Sequence, residues 1–241
     1  MASWMVHLRL ADNLLEWIDG LDAEQFGIGN VAPDSGIPDE TWRRFTPPPD
    51  VSHFHASREA AFPSQDLEFY RRYLSGVIRG DHPQRFSFLL GYFFHLVTDN
   101  LWTVKIDQPT RVRYAHEFEG DAEFIWEVQR DWYGLDFMYV RSHPEAFFWQ
   151  SFLDSHYTKD YLDFLPVKAV QERIAYIKDF YRRQDEKTEA LLGRPFKYLT
   201  QDKMDTFVEK TTERLEQIYT LLWEENPQIT KEYASALEVP V

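Results

Sequence analysis

From residue 4 to residue 19, apolar side chains recur at Leu10, Leu14, Leu15, Trp17 and Ile18 with polar residues between them. That spacing predicts a helix, and Gly20 and Asp22 punctuate its end. The pattern fails over residues 27–63, which are rich in Gly and Pro and include Pro47-Pro48-Pro49. An aperiodic stretch of that length inside a domain is expected to be functional or disordered, and Asp34, His53 and His55 favour function. Helical periodicity returns at 66–79, 84–104 and 121–141, with Asp81-His82-Pro83 between the first two. A further helix is expected near 144–155. Residues 166–226 read as a long helical hairpin, 166–190 and 202–225, broken at Gly193-Arg194-Pro195. Its dense, mixed charges have the pattern of a solvated outer face. No run alternates as a strand does, and no repeat is visible. The expected fold class is all-α: a helical bundle over residues 1–160, with 161–241 as a C-terminal helical hairpin packed on it in the same domain.

The most apolar run, Phe86 to Trp102, contains His95 and Asp99. Residues four apart share a helix face, so this pair is aimed together at the core. An unpartnered buried carboxylate costs several kcal/mol or takes up a proton. A divalent metal ion satisfies both groups at once, and a private His–Asp hydrogen bond is the equal alternative. On a helical wheel, Leu10, Ala11, Leu14 and Ile18 define the inner face of the first helix, and His7 falls within it. In the helix at 121–141 the inner stripe is Phe124, Val128, Trp132, Leu135 and Tyr139. Asp131 lies in that stripe, with Glu127 and Asp136 at its edges. Two further candidates lie outside helices: Asp34 in Val31-Ala-Pro-Asp-Ser-Gly36, and His53 or His55 in Ser-His-Phe-His. Each has an ordinary reading: a hydrogen-bonded core histidine, a carboxylate paired with arginine, an Asx turn. On segments able to converge, together they favour a metal site.

Composition narrows that site. The 241 residues suit one large domain, 44% apolar and 17% aromatic, with net charge −14. No basic stripe is present, which argues against duplex nucleic acid as a partner. A phosphate-bearing substrate remains compatible, because a bound cation inverts the local charge. The chain has no cysteine, so the ligands are His, Asp, Glu, backbone or water, the donor set of a catalytic zinc. The first residues lack the pattern of a signal peptide, and the run at 86–102 is short for a bilayer span. The expectation is a cytoplasmic chain without a transmembrane segment, with a homo-oligomer compatible with the long hairpin.

The order His7, Ala-Pro-Asp34, His53-Phe54 and His95-x3-Asp99 resembles that of the zinc-dependent phospholipase C family, and the S1/P1-type nucleases are similar in fold and ligand order. The match is sparse and covers about residues 1–140. The resemblance implies an all-α fold holding up to three metal ions. By it, Asp34, His53, His95 and Asp99 form one complete site, His7 belongs to a neighbouring ion that shares Asp99, and Asp34 acts as general base. The chain departs from the pattern in two places. Trp4 is not terminal, whereas secreted members use a terminal tryptophan amine as a ligand. The family's later His and His-x3-Glu pair are also missing: Thr103, Val104 and Lys105 stand near the first place, and His116 has Gly120 four residues on. Glu127-x3-Asp131 has the missing spacing and would suit a harder cation, manganese or magnesium.

The expected ligands are therefore His7, Asp34, His53, His95, Asp99 and Asp131, with His55, His116 and Glu127 as secondary candidates. The expected cofactor is zinc, one or two ions. The expected function is hydrolysis of a small phosphoester, soluble or lipid-derived, by metal-activated water, with Asp34 as base or water orienter. The rival is a non-catalytic helical protein with a structural ion or an internal His–Asp network. An HD-type phosphohydrolase is disfavoured, because Asp81-His82 reverses the dipeptide that such enzymes carry.

Overall fold

In a computed structural model, whose described residues are 1–41, 44–56, 62–225 and 233–239, the chain is built from helices. They are α1 (Trp4–Trp17), α2 (Ala23–Gly29), α3 (Pro49–Ser52), α4 (Asp66–Phe69), α5 (Pro83–Trp102), α6 (Gln108–Arg113), α7 (Ala115–Gly120), α8 (Phe124–Ser142), α9 (Phe147–Gln150), α10 (Val167–Tyr181), α11 (Glu186–Leu192) and α12 (Gln201–Thr220). A two-residue antiparallel ladder joins β1 (Ile37–Pro38) to β2 (Phe45–Thr46). The all-α expectation is met. No helix among the described residues is long and apolar enough to cross a membrane.

Helix α5 is the axis of the fold. Every residue from Phe86 to Asn100 is buried, so its run is apolar all round rather than striped. Helices α1, α2, α4 and α12 pack on it. The crossing with α2 is the closest: a Cβ on Gly29 would lie 2.1 Å from the Phe88 carbonyl oxygen, and one on Gly91 would lie 2.4 Å from that of Phe26. Two glycines thus let the backbones touch, and this fixes the end of α2, including the Asn30 carbonyl, against the middle of α5.

Several elements differ from the sequence pattern. The aperiodic segment begins inside the last turn of α2 and contains the short helix α3 and the β1–β2 ladder. Part of it, residues 42–43 and 57–61, lies outside the described residues. The helix expected at 66–79 is α4 followed by a wide π turn, Tyr70–Leu74. The one expected at 144–155 shrinks to α9 and a 3-10 turn, Phe152–Asp154. Residues 166–226 hold three helices instead of a two-helix hairpin, and residue 226 lies outside the described residues. Helix α11 packs on α8, whereas α12 packs on α1 and α5. An exposed polar break, after which Asp185 caps α11 by accepting from the Thr188 N–H at 2.9 Å, ends the run. One apolar core takes residues from both halves of the chain, Leu14 and Val97 with Leu215 and Ile218 among them.

Candidate metal centre

Four segments bring ionisable groups together: α1 with His7, the 3-10 turn Ala32–Asp34, the end of α3 with His53, and α5 with His95 and Asp99. His7, His53, His95 and Asp99 are buried, and Asp34 is 12% exposed. His53 Nε2 lies 3.2 Å from Asp34 Oδ1, 3.3 Å from His95 Nε2 and 3.7 Å from Asp99 Oδ2. His95 Nε2 lies 3.4 Å from Asp99 Oδ2. Tetrahedral zinc with bonds of about 2.0–2.1 Å has ligand–ligand edges of about 3.3 Å, so the contacts that His53 and His95 make with each other and with the two carboxylates are of the length a shared ion needs. His7 joins from the other side of Asp99, with Nε2 3.5 Å from Oδ1 and its ring stacked on that of His95 at 3.8 Å. Two groups can hold an ion: Asp34, His53 and His95, and His7, His95 and Asp99.

The surroundings orient these donors. His95 Nδ1–H donates to the Asn30 carbonyl oxygen at 2.8 Å, which leaves the Nε2 lone pair facing the cluster. Ser52 Oγ stands 3.1 Å from His53 Nδ1, and Tyr92 Oη–H holds the Ser52 carbonyl oxygen. The Ala2 N–H donates to Asp99 Oδ1 at 2.8 Å. Both nitrogens of His7 and Asp99 Oδ2 are buried without a hydrogen-bond partner, and such atoms in a native interior ask for a ligand.

Charge follows geometry. Burial pushes His7 down to about 4, helped by His95 beside it, so the ring is neutral and its lone pair available. Burial also opposes the ionised form of Asp34, but His53 and His95 outweigh it and hold that carboxyl well below its ordinary value. Asp99 is likewise held ionised against burial, chiefly by His95. His95 is raised despite burial, because Asp99 and Asp34 face it. Two ionised carboxylates thus meet among three imidazole rings, one of them held neutral, and that concentration of negative charge in a buried pocket favours a cation.

The remaining candidates stand apart. The Phe54 backbone is left-handed, with φ 51°, a conformation rare for such a residue. It separates the two histidines, and His55 pairs with exposed Asp50 at 3.0 Å. Asp131 is buried but outside the cluster: Oδ2 accepts from the Tyr198 N–H at 2.6 Å and the Leu199 N–H at 3.3 Å, and Arg194 Nε lies 3.5 Å from Oδ1. Glu127 pairs with Arg130 and Arg194. His116 is exposed on α7. The Glu127-x3-Asp131 spacing is therefore occupied by structural pairing rather than by a second cation site.

A cleft of about 400 Å³ opens beside the cluster, walled by Asp34, His53, Trp4, Trp132, Arg111 and Arg173 among others. The arginines escaped the reading of the sequence. Arg173 lies in the densely charged region whose pattern is that of an outer face, although it stands four residues after Ala169 and four before Ile177, inside the buried stripe of α10. Searches against family models, curated proteins and solved structures find no match to the chain.

Proposed function

We propose that the chain is a metal-dependent hydrolase of phosphoesters whose ion, zinc by its donor set, is held by Asp34, His53, His95 and Asp99, with His7 serving a second ion that shares Asp99. The observation that carries the reading is the chain of 3.2–3.7 Å contacts that links Asp34 through His53 to His95 and Asp99 beside an open cleft. An internal His–Asp network is the weaker account, because its contacts at 3.4–3.7 Å leave both His7 nitrogens and Asp99 Oδ2 buried without a hydrogen bond. A purely structural ion is also less favoured, since such sites are closed, whereas this one borders a cleft. The ligand order resembling the zinc-dependent phospholipases C supports the choice of phosphoester.

A bound ion would supply Lewis acidity and a water of lowered pKa. The chain does the rest. Asp34 is the least buried member of the cluster, faces the cleft and is held ionised, so it is the group placed to orient a water or take its proton. His53 fixes Asp34 through the 3.2 Å contact, and Asn30 fixes His95.

Metal analysis by mass spectrometry tests the first part: the purified wild type carries stoichiometric transition metal, and His95→Ala loses it. A metal-free wild type whose melting temperature does not rise with Zn²⁺ or Mn²⁺ would sink the reading. For the second part, a panel of phosphomonoesters and phosphodiesters gives turnover that Asp34→Asn lowers by about 10²–10⁴-fold. Turnover equal in the two proteins removes Asp34 from the chemistry.

A further inference from the structure

The lining of the cleft carries a cation without a counter-ion among the described residues. Arg173, partly buried on α10, makes no hydrogen bond or ion pair among the described residues. Its guanidinium is held only by aromatic faces, 5.3 Å from the Trp4 ring centroid and 5.8 Å from that of Tyr176. Its Nε is buried and unpartnered, as is the indole Nε1 of Trp132 in the same wall. Two unpaired donors, one of them charged, line one cleft. Burying such groups without an acceptor is unfavourable, so the wall is matched to a ligand that brings acceptors. Arg111 adds a second guanidinium, already paired with Asp107 at 2.8 Å. Apart from the cluster members Asp34 and His53, the charged side chains lining the cleft are therefore one neutral pair and one cation without an ion pair.

We infer that Arg173 and Trp132 form an anion-recognition subsite for a second acidic group of the substrate, a carboxylate or another phosphate, separate from the phosphoryl group at the His/Asp cluster. The inference rests on the phosphoester reading of that cluster. An arginine fork suits such an oxyanion because it offers paired N–H donors in one plane. The volume of about 400 Å³ holds a small polar molecule, and Gln129 Oε1, an unpartnered acceptor in the same wall, can receive one of its hydroxyls. The substrate class is thus a small phosphomonoester with a second negative charge. A phosphoester of a cationic alcohol meets repulsion from Arg173.

Three probes of similar size test this by isothermal titration calorimetry on the full-length purified protein: 3-phosphoglycerate, glycerol 3-phosphate and phosphocholine. The first two differ by a carboxylate in place of a hydroxymethyl group. The wild type binds 3-phosphoglycerate at least about tenfold tighter than glycerol 3-phosphate, the strength of one charge-assisted contact, and phosphocholine weakest. In Arg173→Met the preference for the carboxylate collapses towards one, in Arg173→Lys it is partly kept, and in Arg183→Met, where Arg183 stands over the same Tyr176 ring but outside the cleft lining, it is unchanged. Circular dichroism confirms that each variant is folded; should Arg173→Met not fold, Arg173→Lys and Arg173→Gln carry the comparison. No binding of any probe at millimolar concentration, equal binding of all three, or a preference that survives loss of the guanidinium overturns the subsite. The two proposals fail separately. Carboxylate preference without turnover of any phosphoester keeps the subsite and removes the hydrolase, whereas turnover with no preference does the reverse.

Discussion

At the scale of single residues, two buried aspartates that look alike in sequence have different duties. Asp99 has a free oxygen among imidazoles, whereas Asp131 spends one oxygen on the backbone N–H groups of Tyr198 and Leu199, just before α12 begins. Removing a partner from a buried, hydrogen-bonded charge is costly. Asp131→Ala is therefore expected to lower unfolding stability by about 3 kcal/mol in urea denaturation while the metal content per chain stays at the wild-type value. A parallel loss of metal would return Asp131 to the ligand set. The wheel placed Asp131 on the inner face correctly. It had no means of showing that the partner across the core was a loop 67 residues away.

At the scale of elements, the site depends on how closely α2 and α5 approach. Asn30 follows α2 directly, and its carbonyl oxygen sets the tautomer and aim of His95. A methyl group at position 91 would meet the Phe26 carbonyl oxygen at 2.4 Å and the Asn30 nitrogen at 2.9 Å. Backbone atoms cannot yield as a side-chain tip does, so the helices must separate. Gly91→Ala is expected to cost about 1–3 kcal/mol of stability and also to weaken metal affinity, read by competition with a chromogenic chelator. Lost stability with unchanged affinity would mean that the Asn30 contact does not orient His95. The crossing was not visible in the sequence, because α2 lies in a short stretch with too few turns to show a helical period.

Across the whole molecule, buried carboxylates outside the His/Asp cluster tie distant parts together and make stability depend on pH. Asp136 on α8 accepts from Ser3 Oγ–H and Tyr181 Oη–H, each at 2.8 Å, and so joins α8 to α10 and to the residue before α1. Burial pushes its carboxyl up to about 7 from an ordinary 3.8. The native state then holds a proton that the unfolded chain has released. The corresponding stabilisation is complete below the unfolded value, near pH 4, and is lost as pH rises through about 7. Between pH 5 and pH 8 the wild type should lose stability relative to Asp136→Asn, with a slope of up to about 1.4 kcal/mol per pH unit. Denaturation curves for the two proteins at both pH values measure it, and parallel pH profiles would show that the native carboxyl titrates as in the unfolded chain.

The sequence by itself determined the helical class, the burial of α5 and the inward direction of His7, His95 and Asp99, because these follow from periodicity within one element. It also limited the donors to imidazole and carboxylate, because the chain has no thiol. The tertiary structure decided the rest. It chose His53 over His55, since the left-handed Phe54 between them sends one ring into the core and leaves the other beside Asp50. It withdrew Asp131, Glu127 and His116 from the site, and it brought Arg173 to the cleft from a helix that begins 68 residues after Asp99. The physical reason is the same in each case. A wheel gives the direction of a side chain from its own axis, whereas a ligand set or a binding wall depends on which other axes pass within a few ångströms, and that is fixed by packing between elements far apart in the chain.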